Sequence, residues 1–178
     1  MSYGVMIPVA IAATNVDSWN RSCVSYASDF ENGGLCALAT GKSSIAGESE
    51  LWLATVPATA NLKTDWIVYD PELVWTGSYR GLDPDVRNYY VAKYRTFSAF
   101  KPQVHDLLLM DADCFTGAIG ANTFAAATDG QTQFVWTATQ SASCIALSLV
   151  ATQYISIGTG LLNDQRVTAY LMEVIPQT

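Results

Sequence analysis

Short apolar runs alternate with turn residues along most of the chain, and long helical periodicity is scarce. Strands are predicted at residues 35–40, 50–56, 66–69, 73–76, 96–100, 107–110, 123–128, 131–138, 144–151, 154–157 and 166–175. Many short strands separated by glycine and proline turns are typical of a β-sandwich or barrel. We therefore predict a mainly β fold, an antiparallel β-sandwich or β-barrel-like domain with an extended N-terminal arm and a hairpin.

Two local signals add detail to this prediction. Asp129-Gly130 lies between two β-prone runs, which predicts a hairpin with a type I′ turn and positive φ at both residues. Residues 15–26 have the pattern of one short helix, with Asn15 or Asp17 as its cap. A cluster of Ala, Thr and Pro at 57–61 suggests dividing the chain into an arm-plus-hairpin region, 1–58, and a compact β domain, 59–178.

The N-terminal segment 1–14 is apolar and ends in small residues. No Lys or Arg precedes its apolar run and Pro8 lies inside it, which counts against a signal peptide. The run is also too short to span a membrane. We interpret the segment as an arm or a first strand that stays in the mature protein, and we expect its apolar residues to contact a neighbouring protein rather than the core of their own domain. These residues are Val5, Met6, Ile7, Val9 and Ile11.

Composition limits the possible partners. The chain has 178 residues, enough for a hydrophobic core without disulfides or metals. Only 14% of the residues are charged, against about 25% in an average protein, so part of the surface is expected to be covered by a partner. The net charge of −7 argues against nucleic-acid binding, which needs clustered Lys and Arg.

Tyrosine and arginine are concentrated in one polar, loop-like stretch in the middle of the chain. These residue types are enriched at the centres of protein interfaces. We therefore predict a contact surface there, although a solvated face of loops would have the same composition. The candidate contact residues are Tyr79, Arg80, Arg87, Tyr89, Tyr90, Tyr94 and Arg95.

Four cysteines are present, and none forms a Cys-x-x-Cys pair. Cys36 and Cys144 have apolar neighbours and are predicted to be buried, free and unreactive. This usage favours reduced thiols in a cytosolic product, while the even number leaves disulfides open.

Catalytic and metal-binding patterns are weak. His105 is the only histidine and no Gly-x-Ser-x-Gly elbow accompanies it, so we interpret it as a turn residue. The acidic pairs Asp83/Asp85 and Asp111/Asp113 lack the other ligands of a calcium loop. The glycines of 158–160 lack the lysine of a phosphate-binding loop. We predict no enzymatic activity, no cofactor and no metal, and an unrecognised hydrolase is the least favoured alternative.

A resemblance supplies a functional hypothesis. The aromatic and turn-rich stretch from 65–70 (DWIVYD) through 97–106 (FSAFKPQVHD), with 153–158 (QYISIG) and 166–170 (RVTAY), resembles the small β-rich decoration proteins of tailed-bacteriophage heads. The resemblance covers roughly the last two thirds of the chain. It implies a structural protein made in the host cytoplasm that binds the outer surface of an assembled capsid.

The resemblance further implies that the protein cements neighbouring major capsid protein subunits and contacts copies of itself, with no nucleic-acid or membrane partner. The many Trp and Tyr residues favour one alternative, a carbohydrate-binding β-module on a virion or cell surface. The sequence leaves this alternative open.

Overall fold

The structure, a computed structural model, describes residues 3–42, 50–60, 65–70, 86–141, 145–158 and 164–176. Twelve strands are found in these ranges, and every helical segment in them is a short 3-10 turn. In chain order the strands are β1 Met6–Ala10, β2 Asn20–Val24, β3 Leu35–Lys42, β4 Trp52–Thr55, β5 Asp65–Val68, β6 Thr96–Phe100, β7 Leu107–Asp111, β8 Phe115–Thr116, β9 Phe124–Ala126, β10 Phe134–Thr137, β11 Ala146–Gly158 and β12 Asp164–Ile175.

The strands form two sheets, which confirms the predicted mainly β fold. Seven strands form an open sheet in the order β1-β7-β12-β11-β9-β10-β8. Five strands close into a small barrel in the order β2-β4-β3-β5-β6. Pairing is antiparallel except between β2 and β4 and between β8 and β10. In the described ranges no helix is long and apolar enough to cross a lipid bilayer.

The core lies between the barrel and the open sheet. Leu35, Ile67 and Phe100 of the barrel pack in one buried cluster with sheet residues such as Leu108 and Phe134. A second buried cluster fills the barrel interior. Its members include Cys23, Cys36, Ala54, Val68, Phe97 and Ala99. Alternation along β3, β5 and β6 therefore sends one set of side chains into the barrel and another toward the sheet.

The helix predicted for residues 15–26 is wrong. The chain instead makes two 3-10 turns, at Ala12–Asn15 and Asp17–Trp19, and then enters β2. The extended backbone of Val16 separates the turns, with φ −136° and ψ 99°. Every residue of β2 pairs with β6, so tertiary pairing overrides the weak helical pattern.

The hairpin predicted around Asp129-Gly130 is confirmed as a strand pair but not as a type I′ turn. β9 and β10 pair antiparallel across residues 127–133, and Gly130 has a φ of +71° whereas Asp129 has no positive φ. The Asp129 carboxylate accepts the Ala60 N–H at 2.7 Å, and the Gly130 N–H donates to the Pro57 carbonyl at 2.7 Å. The turn residues thus hold the loop after β4 instead of closing a tight hairpin.

The suggested division near residue 58 lies between β4 and β5. Both strands pair with β3 in the same barrel, so hydrogen bonds of one barrel span this position. β1 belongs to the open sheet, where it pairs with β7. The barrel is therefore inserted between the first two strands of the open sheet.

The cysteines follow the prediction where the structure describes them. Cys23, Cys36 and Cys114 are buried and free. Burial raises the pKa of the Cys23 thiol to about 12 and the pKa of the Cys36 and Cys114 thiols well above the usual value. Cys144, with the residues predicted as a strand at 73–76, lies outside the described residues.

Candidate interaction surface

The N-terminal segment is an edge strand of the open sheet. Met6 lies opposite Met110 and Ile7 opposite Leu109 in the β1–β7 ladder. Val5 and Met6 are buried in this chain's own core, at 2% and 1% exposure. The expectation that these two residues contact a neighbour instead of their own domain is therefore wrong. Because successive residues of an extended segment point to opposite sides, Met6 packs in the main buried cluster and Val5 in a separate small apolar cluster with Ile155 and Ala169.

The outer residues of the same segment remain available for contact. Ile7 is 43% exposed and Val9 is 54% exposed, while Ile11 is partly buried against the core. The Asp111 N–H donates to the Val5 carbonyl, so Val5 and Asp111 form a hydrogen-bonded pair. Hydrogen-bonded and non-hydrogen-bonded pairs alternate along an antiparallel ladder. Pro8 and Leu108, three positions further on, therefore form a non-hydrogen-bonded pair. At such a pair an N–H would point away from β7, so proline removes no hydrogen bond to that strand. The free edge of β1 has one donor fewer, which disfavours pairing with a further strand.

Two carboxylates hold the start of this segment. The Gly4 N–H donates to Glu31 Oε2 at 2.8 Å, and the Val5 N–H donates to Asp111 Oδ1 at 3.0 Å. Asp111 is fully buried, and its Oδ2 has no hydrogen-bond partner in the structure as described. Desolvation raises the pKa of Asp111 to about 6 and also raises the pKa of Glu31.

The N-terminal segment meets the predicted tyrosine-rich stretch. The Tyr3 N–H donates to the Arg87 carbonyl at 2.8 Å, and the Tyr3 and Tyr90 rings stack with centroids 4.8 Å apart. Val5 and Val86 belong to one small apolar cluster. The structure therefore brings together the two segments that the sequence suggested separately as contact regions.

One predicted contact residue of this stretch has a structural role instead. Tyr89 is 2% exposed, and its hydroxyl donates to Asp70 Oδ2. Arg95 lies over the Tyr89 ring at 5.5 Å and 3.8 Å from the same Asp70 oxygen. The prediction that Tyr89 lies on the contact surface is wrong, because its ring fills the second buried cluster. Arg95 remains exposed above it.

Tyr94 is the most unusual residue of the stretch. Its φ is +68°, a left-handed conformation that a bulky residue rarely adopts. The Tyr94 N–H donates to the Ser25 carbonyl at 2.7 Å, and its ring lies 5.8 Å from that of Tyr26 and 5.9 Å from the Lys93 ammonium. The ring is nevertheless 66% exposed. Strain in a bulky, exposed residue points to a functional constraint.

We define the tyrosine surface as Tyr3, Tyr26, Tyr90, Lys93 and Tyr94. Tyr90 is 38% exposed, and residues 90 and 94 can be no more than about 14 Å apart along the chain. The two ring pairs, Tyr3/Tyr90 and Tyr26/Tyr94, are therefore connected by the short segment 90–94. Arg87 is half-buried beside this surface, and Tyr79 and Arg80 lie outside the described residues.

Sequence reasoning placed Tyr3 only within the N-terminal arm and Lys93 only within the charged, tyrosine-rich stretch, and it missed Tyr26. Tyr3 and Tyr26 are distant from the 86–95 stretch in the chain, and no local sequence pattern indicates their contacts with Tyr90 and Tyr94. Lys93 lay within the stretch, but only its position over the Tyr94 ring gives it a role.

The other candidate groups make local contacts where the structure describes them. His105 has a φ of +75° and is exposed, and its Nδ1 lies 2.7 Å from Glu173 Oε1. Asp111 Oδ1 accepts the Val5 N–H, and no group of three or more metal-ligating side chains occurs among the described positions. The Asp83/Asp85 pair and residues 159–160 lie outside the described ranges.

No family model, no curated protein and no solved structure matches the chain.

Proposed function

We propose that the protein is a non-enzymatic structural component of a tailed-bacteriophage virion. It binds the outer surface of the assembled capsid through the tyrosine surface and cements neighbouring major capsid protein subunits. The observation that carries the proposal is the junction of the two predicted contact segments, made by the Tyr3–Arg87 hydrogen bond and the Tyr3/Tyr90 stack.

The chemistry of the tyrosine surface suits a protein partner. Tyrosine combines a large apolar ring with a polar hydroxyl and loses little conformational entropy when it is immobilised. Tyr94 is held by its backbone hydrogen bond to Ser25 and by the Tyr26 and Lys93 contacts before any partner arrives. Preorganisation of this kind lowers the entropic cost of binding.

Charge and geometry add to this support. Lys93 and Arg95 place positive charge beside Tyr94 in a chain whose net charge is −7, so acidic groups of the partner would be favoured at this point. The exposed Ile7 and Val9 of β1 extend the apolar area from the Tyr3 end of the surface. On a capsid, weak contacts of this size are repeated over many subunits, and avidity multiplies them.

The test is co-sedimentation with undecorated capsids of the phage that encodes the chain. Three proteins are compared: wild type, Tyr94→Ala and Tyr154→Ala. Tyr154 is a matched control because it is also 66% exposed but projects from β11 of the open sheet. Circular dichroism establishes that both variants are folded before binding is compared.

We expect Tyr94→Ala to bind at least tenfold more weakly, a loss of about 1.4 kcal/mol, and Tyr154→Ala to bind as wild type does. Absence of wild-type binding would overturn the proposal. Equal losses from the two substitutions would show that the tyrosine surface is not the contact.

Exposed tyrosine rings also favour the second candidate, a carbohydrate-binding module, because ring faces such as that of Tyr94 can stack on sugars. A glycan array distinguishes the two. Saturable glycan binding that is lost in Tyr94→Ala, without capsid binding, would favour this candidate over capsid decoration.

A further inference from the structure

One end of the barrel is filled by a cation between two indole rings. The Arg21 guanidinium carbon lies over both Trp52 and Trp66, 5.5 Å from each ring centroid. Strand alternation explains the arrangement. Arg21 shares a face of β2 with the buried Cys23, Trp52 lies opposite Cys23 in β4, and Trp66 lies opposite Cys36 in β5. All three side chains therefore project toward the barrel interior at the same end.

The hydrogen-bonding capacity of Arg21 is mostly unused. Its Nη1 donates to the Asn20 carbonyl at 2.9 Å, which is the only hydrogen bond of its guanidinium among the described residues. None of the ion pairs found within the described ranges involves Arg21. Arginine keeps its charge at any physiological pH, so this half-buried cation has no neutral form, and it has no carboxylate partner in the part of the chain that the structure describes.

The guanidinium keeps hydrogen-bond donors for a ligand. The two indole rings offer it no hydrogen-bond acceptor, and its N–H donors point outward in the guanidinium plane. A carboxylate approaching in that plane can accept two parallel hydrogen bonds. Lys101 adds a second cation, because its ammonium lies 5.7 Å from the Trp66 centroid and donates to the Asp65 carbonyl. Burial lowers the pKa of Lys101 to about 8, and the buried Asp65 carboxylate nearby opposes this shift, so Arg21 is the permanent cation at this barrel end.

We propose that Arg21, flanked by Trp52 and Trp66, is a binding site for a carboxylate ligand. The carboxylate would pair with the in-plane donors of Arg21, and the rest of the ligand would lie against the indole edges. This site is separate from the tyrosine surface and does not depend on capsid binding.

The test is an NMR titration that follows the indole N–H signals of Trp52 and Trp66, assigned with Trp52→Phe and Trp66→Phe. Sodium glucuronate, sodium benzoate and glucose are added at constant ionic strength. We expect saturable shifts of both signals with at least one carboxylate and none with glucose. Tighter binding of glucuronate would indicate an acidic sugar as the ligand, and tighter binding of benzoate an aromatic acid.

Variants test the role of Arg21 directly. Arg21→Gln should weaken carboxylate binding at least tenfold, whereas Arg166→Gln, an exposed arginine of β12, should leave binding unchanged. Arg21→Lys keeps the charge but loses the planar fork, so its affinity should lie between those of wild type and Arg21→Gln. If Arg21→Gln does not fold, the affinity of Arg21→Lys compared with that of wild type tests the role of Arg21. No saturable shift with either carboxylate, an equal response to glucose, or wild-type affinity in Arg21→Lys would overturn the proposal.

Discussion

Tyr94 allows the conformational strain of the tyrosine surface to be measured directly. The two substitutions Tyr94→Ala and Tyr94→Gly remove the same ring contacts, so the difference in their free energies of unfolding reports on the backbone. At an ordinary position glycine is less stable than alanine by about 0.5–1 kcal/mol. At φ +68° the alanine Cβ meets the left-handed penalty, about 1–2 kcal/mol, which glycine avoids.

The order of the two variants should therefore be inverted at this position. We expect Tyr94→Gly to be more stable than Tyr94→Ala by about 1 kcal/mol, a difference in Tm of about 2–4 °C at this chain length. Urea denaturation followed by tryptophan fluorescence measures the free energy of unfolding of both variants. Tyr154, in the regular ladder of β11 opposite Thr168, gives the control, because there the alanine variant should be the more stable. If alanine equals or exceeds glycine at position 94, Tyr94 is not strained and the argument from strain to a functional constraint fails.

Three further predictions concern the rest of the fold. The pKa of Asp111 is raised to about 6, so the folded state binds this proton more tightly than the unfolded state does, and ionisation destabilises the fold as pH rises from about 4 to 6. Asp111→Asn avoids this loss. In urea melts its free energy of unfolding should therefore gain up to about 3 kcal/mol relative to wild type between pH 4 and pH 7. Gly33 has a φ of +77° and a Cβ there would lie 2.9 Å from Met6 Cβ, so Gly33→Ala should lose about 2–4 kcal/mol in the same assay. Thiol reagent should modify Cys23, Cys36 and Cys114 only after unfolding, and more than one fast-reacting thiol per native chain would contradict their burial.

Strand positions were predictable where the local pattern agrees with the pairing. Residues 96–100 alternate in the sequence and form β6, and residues 107–110 form most of β7. The runs at 144–151 and 154–157 were predicted as separate strands, but both contribute to the single strand β11, in which an irregularity between Leu149 and Ala151 is accommodated. A single sequence cannot show this continuity, because the long partner strand β12 stabilises it.

Burial was predictable only in part, because it depends on residues far away in the chain. Val5, Met6 and Tyr89 are residue types that occur in contact surfaces. Pairing of the N-terminal segment with β7 buries Val5 and Met6, and the hydrogen bond to the Asp70 carboxylate holds Tyr89 inside the protein. Asp129 has the pattern of a tight hairpin turn, yet its carboxylate binds the Ala60 N–H.

The tyrosine surface shows the same limit. The 86–95 stretch was identifiable from its density of Tyr and Arg, whereas Tyr3 and Tyr26 join it only through the fold. Local composition therefore indicated the type of contact, and tertiary structure determined which side chains could make it.

The most direct test of the proposed function is the copy number of this chain in purified virions, measured by quantitative mass spectrometry against the major capsid protein. Capsid decoration predicts a fixed ratio between the two proteins, reproducible across preparations, with the chain lost from particles assembled with Tyr94→Ala but not with Tyr154→Ala. Absence of the chain from purified particles, or a copy number too low to cover the capsid, would contradict the account.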